Sequence, residues 1–322
     1  MFKELFNFIF VEYLDRKISI FVHNLGAFDG YFIFKYASIL YPVNKVKSII
    51  DNDNKFISIL VNKIKFTDSY RIFGVSLNDL CNVFNQGQGK TNAYNPEYNS
   101  IFILNNPLQL TEFKNYADND SIILYKCMLN ASLLYKENYD VDLSDCLSMT
   151  SLSMLIFRKK FLKVKIPVLD HKLDEFVRDS YYGGSTDYYK KYAKNVYYYD
   201  VNSLYPYAML KDIPLKPLRW VDESTKLEDL FGFALVKVHC PKTIKKPILP
   251  KKHNGKTIYP TPRPAPARAQ GARASPCVGV YYSEELKAVE KYGYNIEIIK
   301  GLEFSRANIF KDYKKKAKNC YS

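Results

Sequence analysis

The chain has 322 residues, of which 47% are hydrophobic and 25% are charged, and its mean hydropathy is −0.26. That composition suits one large domain or two ordinary ones, and it excludes wholesale disorder, a collagen-like repeat and a simple coiled coil. No apolar run approaches the roughly 20 residues of a membrane-spanning helix, and residues 1–17 lack the basic block and cleavage site of a signal peptide. We therefore expect a soluble protein with no membrane partner.

The charge balance is strongly positive, because 47 Lys and Arg residues stand against 33 Asp and Glu residues, a net charge of +14. A field of that sign concentrates polyanions, of which nucleic acid is the commonest. A lysine-rich solvated surface would give the same total, so charge alone does not decide. The six cysteines form no C-x-x-C pair, which is typical of buried thiols in a reducing compartment. These cysteines are Cys81, Cys127, Cys146, Cys240, Cys277 and Cys320.

Strand and helix patterns alternate in the first half of the chain. β-branched and aromatic runs predict the strands, and apolar spacing of three or four residues predicts the helices. The predicted strands lie at 17–22, 56–61 and 63–66, and the predicted helices lie just beyond Gly30, at 120–134 and at 144–161 with Ser144 as the cap. This alternation favours an α/β sheet covered by helices.

A Gly183-Gly184 turn opens a second region, and we place the domain boundary at 165/166, which gives domains 1–165 and 166–322. The second region contains predicted strands at 196–201 and 233–239 and a strand–helix–strand run at 278–299. Residues 261–276 read TPRPAPARAQGARASP, without the Lys, Asn, Ile, Phe and Tyr that abound elsewhere. Such Pro- and Ala-rich stretches pack poorly, and the abrupt change indicates an insertion in a surface loop rather than a native linker.

Two segments of the first half carry carboxylates where a ligand site could form. The first is HNLGAFD, His23 to Asp29, after a strand and before a helix, where an Asp suits a hard divalent cation. The second is YADND, in which Tyr116 and Asp120 share one helical face. Each has a plain structural alternative. HNLGAFD would be an ordinary turn in which Asp29 caps the next helix, and Asp120 would be an Asp that the helix macrodipole favours near an N-terminus.

Two segments of the second half have the same double reading. The run YYYDVNSLYP ends an apolar stretch at Asp200 and continues through Ser203, Leu204 and Tyr205, and its plain alternative is an aromatic strand closed by a turn. The run Tyr181–Gly184 contains two tyrosine rings, which could stack on bases, followed by two glycines, which would let the backbone approach a partner closely. A plain Gly-Gly turn would explain the latter equally well.

Taken in this order, the four segments resemble the protein-primed branch of family B DNA polymerases, of the kind carried by mitochondrial linear plasmids of fungi and plants. HNLGAFD is similar to the family's second exonuclease motif, and Tyr116…Asp120 is similar to the third. The segment Tyr181–Gly184 is similar to the family's Y-x-G-G motif, and the segment Asp200–Pro206 is similar to polymerase motif A. The run from Gly279 to Phe304 also resembles this family, and Asp68-Ser69-Tyr70-Arg71 is aligned with its single-strand-binding serine segment. The resemblance covers nearly the whole chain except 261–276.

The resemblance implies a ribonuclease-H-like 3′–5′ exonuclease domain followed by the beginning of a polymerase palm, an α/β (α+β) architecture with both domains incomplete. Asp29 and Asp120 would bind metal ions, and Tyr116 would position the attacking water. Single-stranded DNA would contact Asn24, Phe28 and Ser69. The expected cofactors are Mg²⁺ or Mn²⁺ ions in two-metal sites, and the expected location is the mitochondrion, where the gene would be encoded.

In the polymerase half, the resemblance implies that Asp200 is a metal-binding catalytic carboxylate. Ser203 and Leu204 would contact the triphosphate of a dNTP, and Tyr205 would stack beneath its sugar. Tyr181, Gly183 and Gly184 would contact template. The expected partners are therefore primer–template and single-stranded DNA, dNTPs, and a terminal-protein primer.

Several of the family's motifs have no counterpart in the sequence. No D-x-E occurs in residues 1–22, and neither K-x-x-x-N-S-x-Y-G nor Y-x-D-T-D follows motif A. A lone carboxylate holds Mg²⁺ poorly, so we expect a truncated polymerase with little activity as an isolated chain. Two alternatives stay open: a catalytically dead single-stranded-DNA-binding remnant, and a generic basic α/β protein whose motifs are chance turns.

Overall fold

A computed structural model describes residues 2–12, 16–85, 95–186, 190–244, 246–260 and 277–313. The predicted insertion at 261–276 lies outside the described residues. The chain divides into two compact units, residues 1–161 and residues 162–322, which places the division four residues before the predicted boundary.

The first unit contains a four-stranded sheet in the order β1-β4-β3-β2. Its strands are β1 (Ile18–Val22), β2 (Val46–Ile50), β3 (Phe56–Val61) and β4 (Ile64–Asp68). β1 and β4 are parallel, with Ile18 opposite Ile64 and Val22 opposite Asp68, whereas the β4–β3 and β3–β2 pairs are antiparallel. Because the carboxyl ends of parallel strands lie at the same edge of a sheet, the residues after Val22 and those after Asp68 emerge side by side.

Helices cover both faces of this sheet. They are α1 (Phe2–Glu12), α2 (Asp29–Leu40), α3 (Ser69–Phe73), α4 (Leu77–Phe84), α5 (Pro107–Tyr139) and α6 (Met149–Ile156), the last continued by a π-helical turn at Phe157–Phe161. Ile18, Ile20 and Val22 of β1 pack with α1 and α2, whereas Phe21 packs with the cluster formed by α3 to α6. This alternation follows from the two-residue period of a strand and confirms the predicted α/β architecture.

The structure corrects two sequence-based helix boundaries in this unit. α5 begins at Pro107, capped by Asn106, and not near Asp120 as predicted. The predicted helix at 144–161 is interrupted, because Leu143–Asp145 is a separate 3₁₀ turn and Ser148 caps α6 through a reciprocal capping box with Ser151. In both places a capping residue, Asn106 for α5 and Ser148 for α6, sets where the helix begins, and the apolar pattern does not.

The second unit is built on an antiparallel sheet in the order β5-β10-β6-β9. Its strands are β5 (Ile213–Val221), β6 (Gly232–His239), β9 (Cys277–Tyr282) and β10 (Asn295–Ala307), with a separate hairpin of β7 (Lys251–His253) and β8 (Lys256–Ile258). Its helices are α7 (His171–Asp179), α8 (Leu204–Ala208) and α9 (Ser283–Glu290). α9 packs on the face of β6 that carries Ala234 and Val236, and α7 packs on the face that carries Phe233.

The predicted strand at 196–201 is wrong. Residues 196–200 form neither helix nor strand in the structure, and Tyr198 is 92% exposed. A strand needs a neighbour for its backbone N–H and C=O groups, and in the described residues no strand pairs with this segment. Its β-rich composition is therefore insufficient without a hydrogen-bonding partner.

No helix in the described part of the chain is long and apolar enough to cross a membrane. Five of the cysteines (Cys81, Cys127, Cys146, Cys240 and Cys277) are free thiols, and the sixth, Cys320, lies outside the described residues.

Candidate active site

The loop at residues 23–29 follows β1 and packs closely against the start of β3. Asn24 adopts a left-handed conformation with φ of 66°, which Asn tolerates better than most residues. A Cβ atom on Gly26 would come within 2.9 Å of the Phe56 carbonyl oxygen, and one on Gly30 within 2.7 Å of the Leu25 carbonyl oxygen. The two glycines therefore permit a loop that an alanine at either position would displace.

The end of β4 holds the same loop by hydrogen bonds. The Asp68 carboxylate is 1% exposed and accepts hydrogen bonds from the backbone N–H of Asn24 at 2.9 Å and of Gly26 at 3.5 Å. Ser69 is completely buried, and its hydroxyl contacts His23 Nδ1 at 3.1 Å and donates to the Val22 carbonyl at 3.3 Å. The His23 ring also meets the edge of Tyr70, with centroids 5.7 Å apart.

The expected contact of Ser69 with single-stranded DNA stays a prediction. In this structure the Ser69 hydroxyl is buried and its two hydrogen bonds, with His23 and with the Val22 carbonyl, hold the end of β1.

The loop and α5 enclose a cleft of about 920 Å³ in the first unit. Four predicted site residues line it: Asn24, Asp29, Tyr116 and Asp120. Its walls are completed by apolar side chains of α4 and α5, among them Leu77, Leu124 and Met128. The fold thus brings together two motifs that lie about ninety residues apart in the sequence.

Asp120 lies in the middle of α5, more than three turns after Pro107. The helix macrodipole acts within the first turn, so it does not account for a carboxylate at this position. Tyr116 lies one turn before Asp120 on the same face, and both side chains are only partly exposed. The placement favours a role in the cleft over the helix-end explanation.

Asp29 is the first residue of α2, but it does not cap that helix: the N-cap is Phe28, which makes no side-chain capping bond. Desolvation by the surrounding protein raises the pKa of the Asp29 carboxyl above its ordinary value, and the residue's own backbone N–H partly offsets that rise. A carboxyl group that is desolvated and has no cationic partner is suited to bind a cation.

Phe28 lies between Asn24 and Asp29 in the 23–29 loop, but it is not among the residues that line the cleft. Its side chain is 65% exposed and its ring lies 4.9 Å from that of Phe32. An exposed ring supported by a second ring is a surface on which a base can stack.

The Tyr181 to Gly184 segment follows α7 in the second unit. Tyr181 is exposed and lines a mainly apolar cleft of about 760 Å³ together with Lys211, Phe231 and Arg306. Tyr182 faces inward, where it stacks on Tyr281 with centroids 5.6 Å apart. Among the described residues, a Cβ atom on Gly183 or Gly184 would meet nothing within 4 Å, so no contact shown by the structure requires glycine at either position.

The motif A residues are exposed and not assembled into a site. Ser203 has a φ of 57° and is the N-cap residue of α8, and Leu204 and Tyr205 belong to that short helix, with Tyr205 78% exposed. Asp200 precedes the turn and is also exposed. In the parts of the chain that the structure describes, no group of three or more His, Cys, Asp or Glu side chains could hold a metal ion.

Sequence reasoning missed the role of Asp68. The sequence singles out Asp68 only as part of the segment Asp68-Ser69-Tyr70-Arg71, and no side-chain pattern predicts hydrogen bonds to backbone amides some 40 residues away. The available signal was positional: Asp68 ends a strand, and a strand's carboxyl end is where polar side chains meet a neighbouring loop.

The chain belongs to the family of organellar and viral type B DNA polymerases, whose sequence pattern it matches over residues 10–106 and 104–319. This confirms the resemblance stated on the four motifs.

Two curated relatives are each described as a probable DNA polymerase. The protein from Neurospora intermedia is 29% identical over 92% of this chain, and that from Podospora anserina is 31% identical over 78% of it. The alignments span 35% and 23% of the two relatives, so this chain represents about a third or less of their length.

Solved structures of Phi29 DNA polymerase share the fold. The complex with primer-template DNA and incoming nucleotide matches with a TM-score of 0.58 at 19% identity, over 98% of this chain and 56% of the other. The complex with single-stranded DNA matches with a TM-score of 0.56 at the same identity. The combination of exonuclease and palm regions expected from the sequence agrees with this fold.

Proposed function

We propose that the first unit is a 3′–5′ exonuclease domain and that the second unit carries the motif A part of a DNA polymerase. The observation that carries the proposal is the cleft in which Asn24, Asp29, Tyr116 and Asp120 meet. All four are the residues expected from two separate exonuclease motifs, and chance turns would not bring them to one cleft.

Asp29 and Asp120 both line the cleft, so it offers two carboxylates, a partial donor set, to a hard divalent cation; the described residues include no cluster of three or more such donors. These two residues would hold Mg²⁺ or Mn²⁺, which supplies charge stabilisation for the attacking and leaving oxygens of a phosphodiester. Asn24 and Phe28 would hold the single strand, the first by its amide and the second by stacking. The Tyr116 hydroxyl would orient a water toward the phosphorus.

In the second unit, Asp200, Ser203, Leu204 and Tyr205 would contribute one side of a dNTP site, and Tyr181, Gly183 and Gly184 would contact template. Asp200 belongs to no metal-binding cluster among the described residues. A single exposed carboxylate does not hold a catalytic ion, so we derive no nucleotidyl transfer step for the isolated chain and expect it to extend a primer poorly.

The proposal includes a setting for the whole protein. The relatives are fungal, and the chain is rich in the residues that AT-rich codons specify, which supports replication of mitochondrial or plasmid DNA. The resemblance to the protein-primed branch of the family is the reason to include priming on a terminal protein, as well as on DNA, in this proposal.

The test is a 5′-labelled oligonucleotide, single-stranded or annealed to template, incubated with Mg²⁺ or Mn²⁺ with and without dNTPs. Because the first exonuclease motif is missing, we expect the oligonucleotide to be shortened only weakly, and Asp29→Ala and Asp120→Ala should abolish that shortening. Asp118→Ala is the matched control, since Asp118 lies exposed on α5 two residues away and does not line the cleft. Shortening that survives in both cleft variants would contradict the exonuclease assignment. Extension that Asp200→Ala abolishes would contradict the expectation of poor synthesis.

A second candidate is a single-stranded-DNA-binding protein without catalysis. The net charge of +14 and the exposed rings of Tyr197, Tyr198 and Tyr199 favour it, since basic and aromatic surfaces bind single strands without reading sequence. An oligonucleotide that is retarded on a gel but keeps its length would support this candidate.

A further inference from the structure

Asp68 is a buried carboxylate whose hydrogen bonds hold the loop of the cleft. It accepts three backbone hydrogen bonds: from Asn24 and Gly26 in the 23–29 loop, and at 2.9 Å from Tyr70, where it caps α3. Two of these donors come from a segment more than 40 residues earlier in the chain. The carboxylate therefore ties the end of β4 to the loop that follows β1.

No cation compensates this charge among the described residues. Arg71, three residues away, pairs with Asp51 instead. A buried carboxylate without a cation is costly unless hydrogen bonds satisfy its oxygens, and here backbone amides do so. An apolar side chain of similar size would leave the amides of Asn24, Gly26 and Tyr70 without this acceptor, so the carboxylate serves the loop as well as the cap of α3.

The loop is the element that benefits from this anchor. Asn24 lies in the left-handed region, and the chain must then turn twice to reach Asp29 at the start of α2. Gly26 has the freedom to leave this path, because glycine restricts the backbone least. Fixing the amides on both sides of Leu25 fixes the direction in which Asn24 and Asp29 face the cleft.

We propose that Asp68 is the positioning residue of this cleft. It sets the path of the 23–29 loop through the Asn24 and Gly26 amides, and Ser69 secures the same loop through His23. The consequence for DNA and for chemistry rests on the proposed exonuclease function, whereas the consequence for the loop does not.

The test compares Asp68→Asn with wild type in the full chain. Asn has nearly the same volume and keeps one acceptor oxygen. Its NH₂ group, however, would face a backbone N–H from which the second carboxylate oxygen accepts a hydrogen bond. We expect the amides of residues 24–26 to exchange with solvent at least about tenfold faster, because a hydrogen bond to a charged group is lost there. Amides of β3 should exchange as in wild type.

Ser58→Ala is the matched control. Ser58 is a buried polar residue of β3 whose hydroxyl donates to the Phe66 carbonyl, and it does not touch the loop. Single-stranded DNA binding, followed by fluorescence anisotropy of a labelled oligonucleotide, should weaken several-fold in Asp68→Asn and not in Ser58→Ala. Unchanged loop exchange in Asp68→Asn, or equal effects in both variants, would overturn the proposal.

Kinetics separate this proposal from the proposed function. If the wild type shortens DNA, Asp68→Asn should lower kcat and raise KM together, because loop residues serve both binding and chemistry. If no variant shortens DNA, the exonuclease assignment fails, and amide exchange alone still decides whether Asp68 positions the loop. Should Asp68→Asn lose its fold, Asp68→Glu provides the second variant: it keeps the charge and moves it, and faster exchange limited to residues 24–26 is expected.

Discussion

Gly26 and Gly30 have no space for a side chain, whereas Gly183 and Gly184 face open space. The first pair is explained by the fold itself, because a Cβ atom would collide with backbone oxygens of the loop and of β3. The second pair has no such explanation among the residues that the structure describes. Glycine there is explained if a partner's backbone approaches closely, which agrees with the proposed template contact.

This contrast predicts opposite behaviour for two alanine variants. Gly183→Ala should change the free energy of unfolding by no more than about 0.5 kcal/mol and should weaken primer–template binding. Gly26→Ala should lower the free energy of unfolding by about 1–3 kcal/mol, because the loop must move away from Phe56. Urea unfolding and gel retardation measure the two effects. Template binding of Gly183→Ala equal to wild type would remove Gly183 from the proposed interface.

Particular elements show what the sequence could and could not predict. β3 was predicted with its observed bounds, and the run of β9, α9 and β10 was predicted in the right order, because these patterns are local and strong; β10 continues eight residues beyond the predicted end at 299. β2 was missed since its residues are mostly exposed and lack alternation, and β5 was missed since Pro214 and Pro217 interrupt it. β5 forms nonetheless because β10 pairs with it across two irregularities of register.

The site divides in the same way. Asp29, Tyr116 and Asp120 were singled out by their positions in the sequence and Asn24 by the family resemblance, and the structure brings all four to one cleft. The burial of Ser69 and the hydrogen bonds of Asp68 depend on the parallel pairing of β1 with β4, which no local pattern specifies.

The β2–β3 hairpin predicts an acid-sensitive contribution to stability. The pKa of Asp51 is lowered by the Lys55 backbone N–H, by the hydrogen bond from Arg71 and by the Asp53 backbone N–H. A carboxyl whose pKa is depressed in the folded state stabilises above its unfolded pKa of about 3.9 and loses that stabilisation as pH falls through the folded value. Asp51 joins the hairpin to α3 through Arg71, so the loss falls on that junction.

Asp51→Asn should therefore be less stable than wild type at pH 6, and the difference should shrink as the pH falls below about 4. Urea unfolding at a series of pH values measures it. Asp53→Asn is the control, because Asp53 lies in the same turn and contributes to Asp51 only through its backbone N–H. A difference that stays constant down to pH 2.5 would show that the Asp51 charge is not responsible.

At the scale of the whole molecule, the net charge of +14 predicts that DNA binding weakens steeply with salt. Each phosphate neutralised on a single strand contributes about 0.7 to the slope of log K against log salt concentration. Two to three such contacts weaken binding about tenfold between 50 and 200 mM NaCl. Binding that is insensitive to salt would exclude the basic surface as the source of affinity.

Phe28→Ala separates stacking from charge in the same titration. Losing one stacked base costs about 1–3 kcal/mol, so the variant should bind more weakly at every salt concentration with an unchanged slope. Phe8→Ala is the matched control, because Phe8 is an exposed phenylalanine of α1, outside the 23–29 loop. A changed slope in Phe28→Ala would mean that the ring acts through neighbouring charges.

The parallel pairing of β1 with β4 also has a consequence for the order of folding. β3 and β4 are joined by a turn at Asn62 and Lys63, so their hairpin closes on a microsecond scale, whereas β1 must find β4 across more than 40 residues of chain. We expect the hairpin to lie in the folding nucleus and β1 to dock late. A strand that docks late with one neighbour also detaches first. The half of the cleft that carries Asn24 and Asp29 is thus the last part of the first unit to form, and ligand binding there would slow its unfolding.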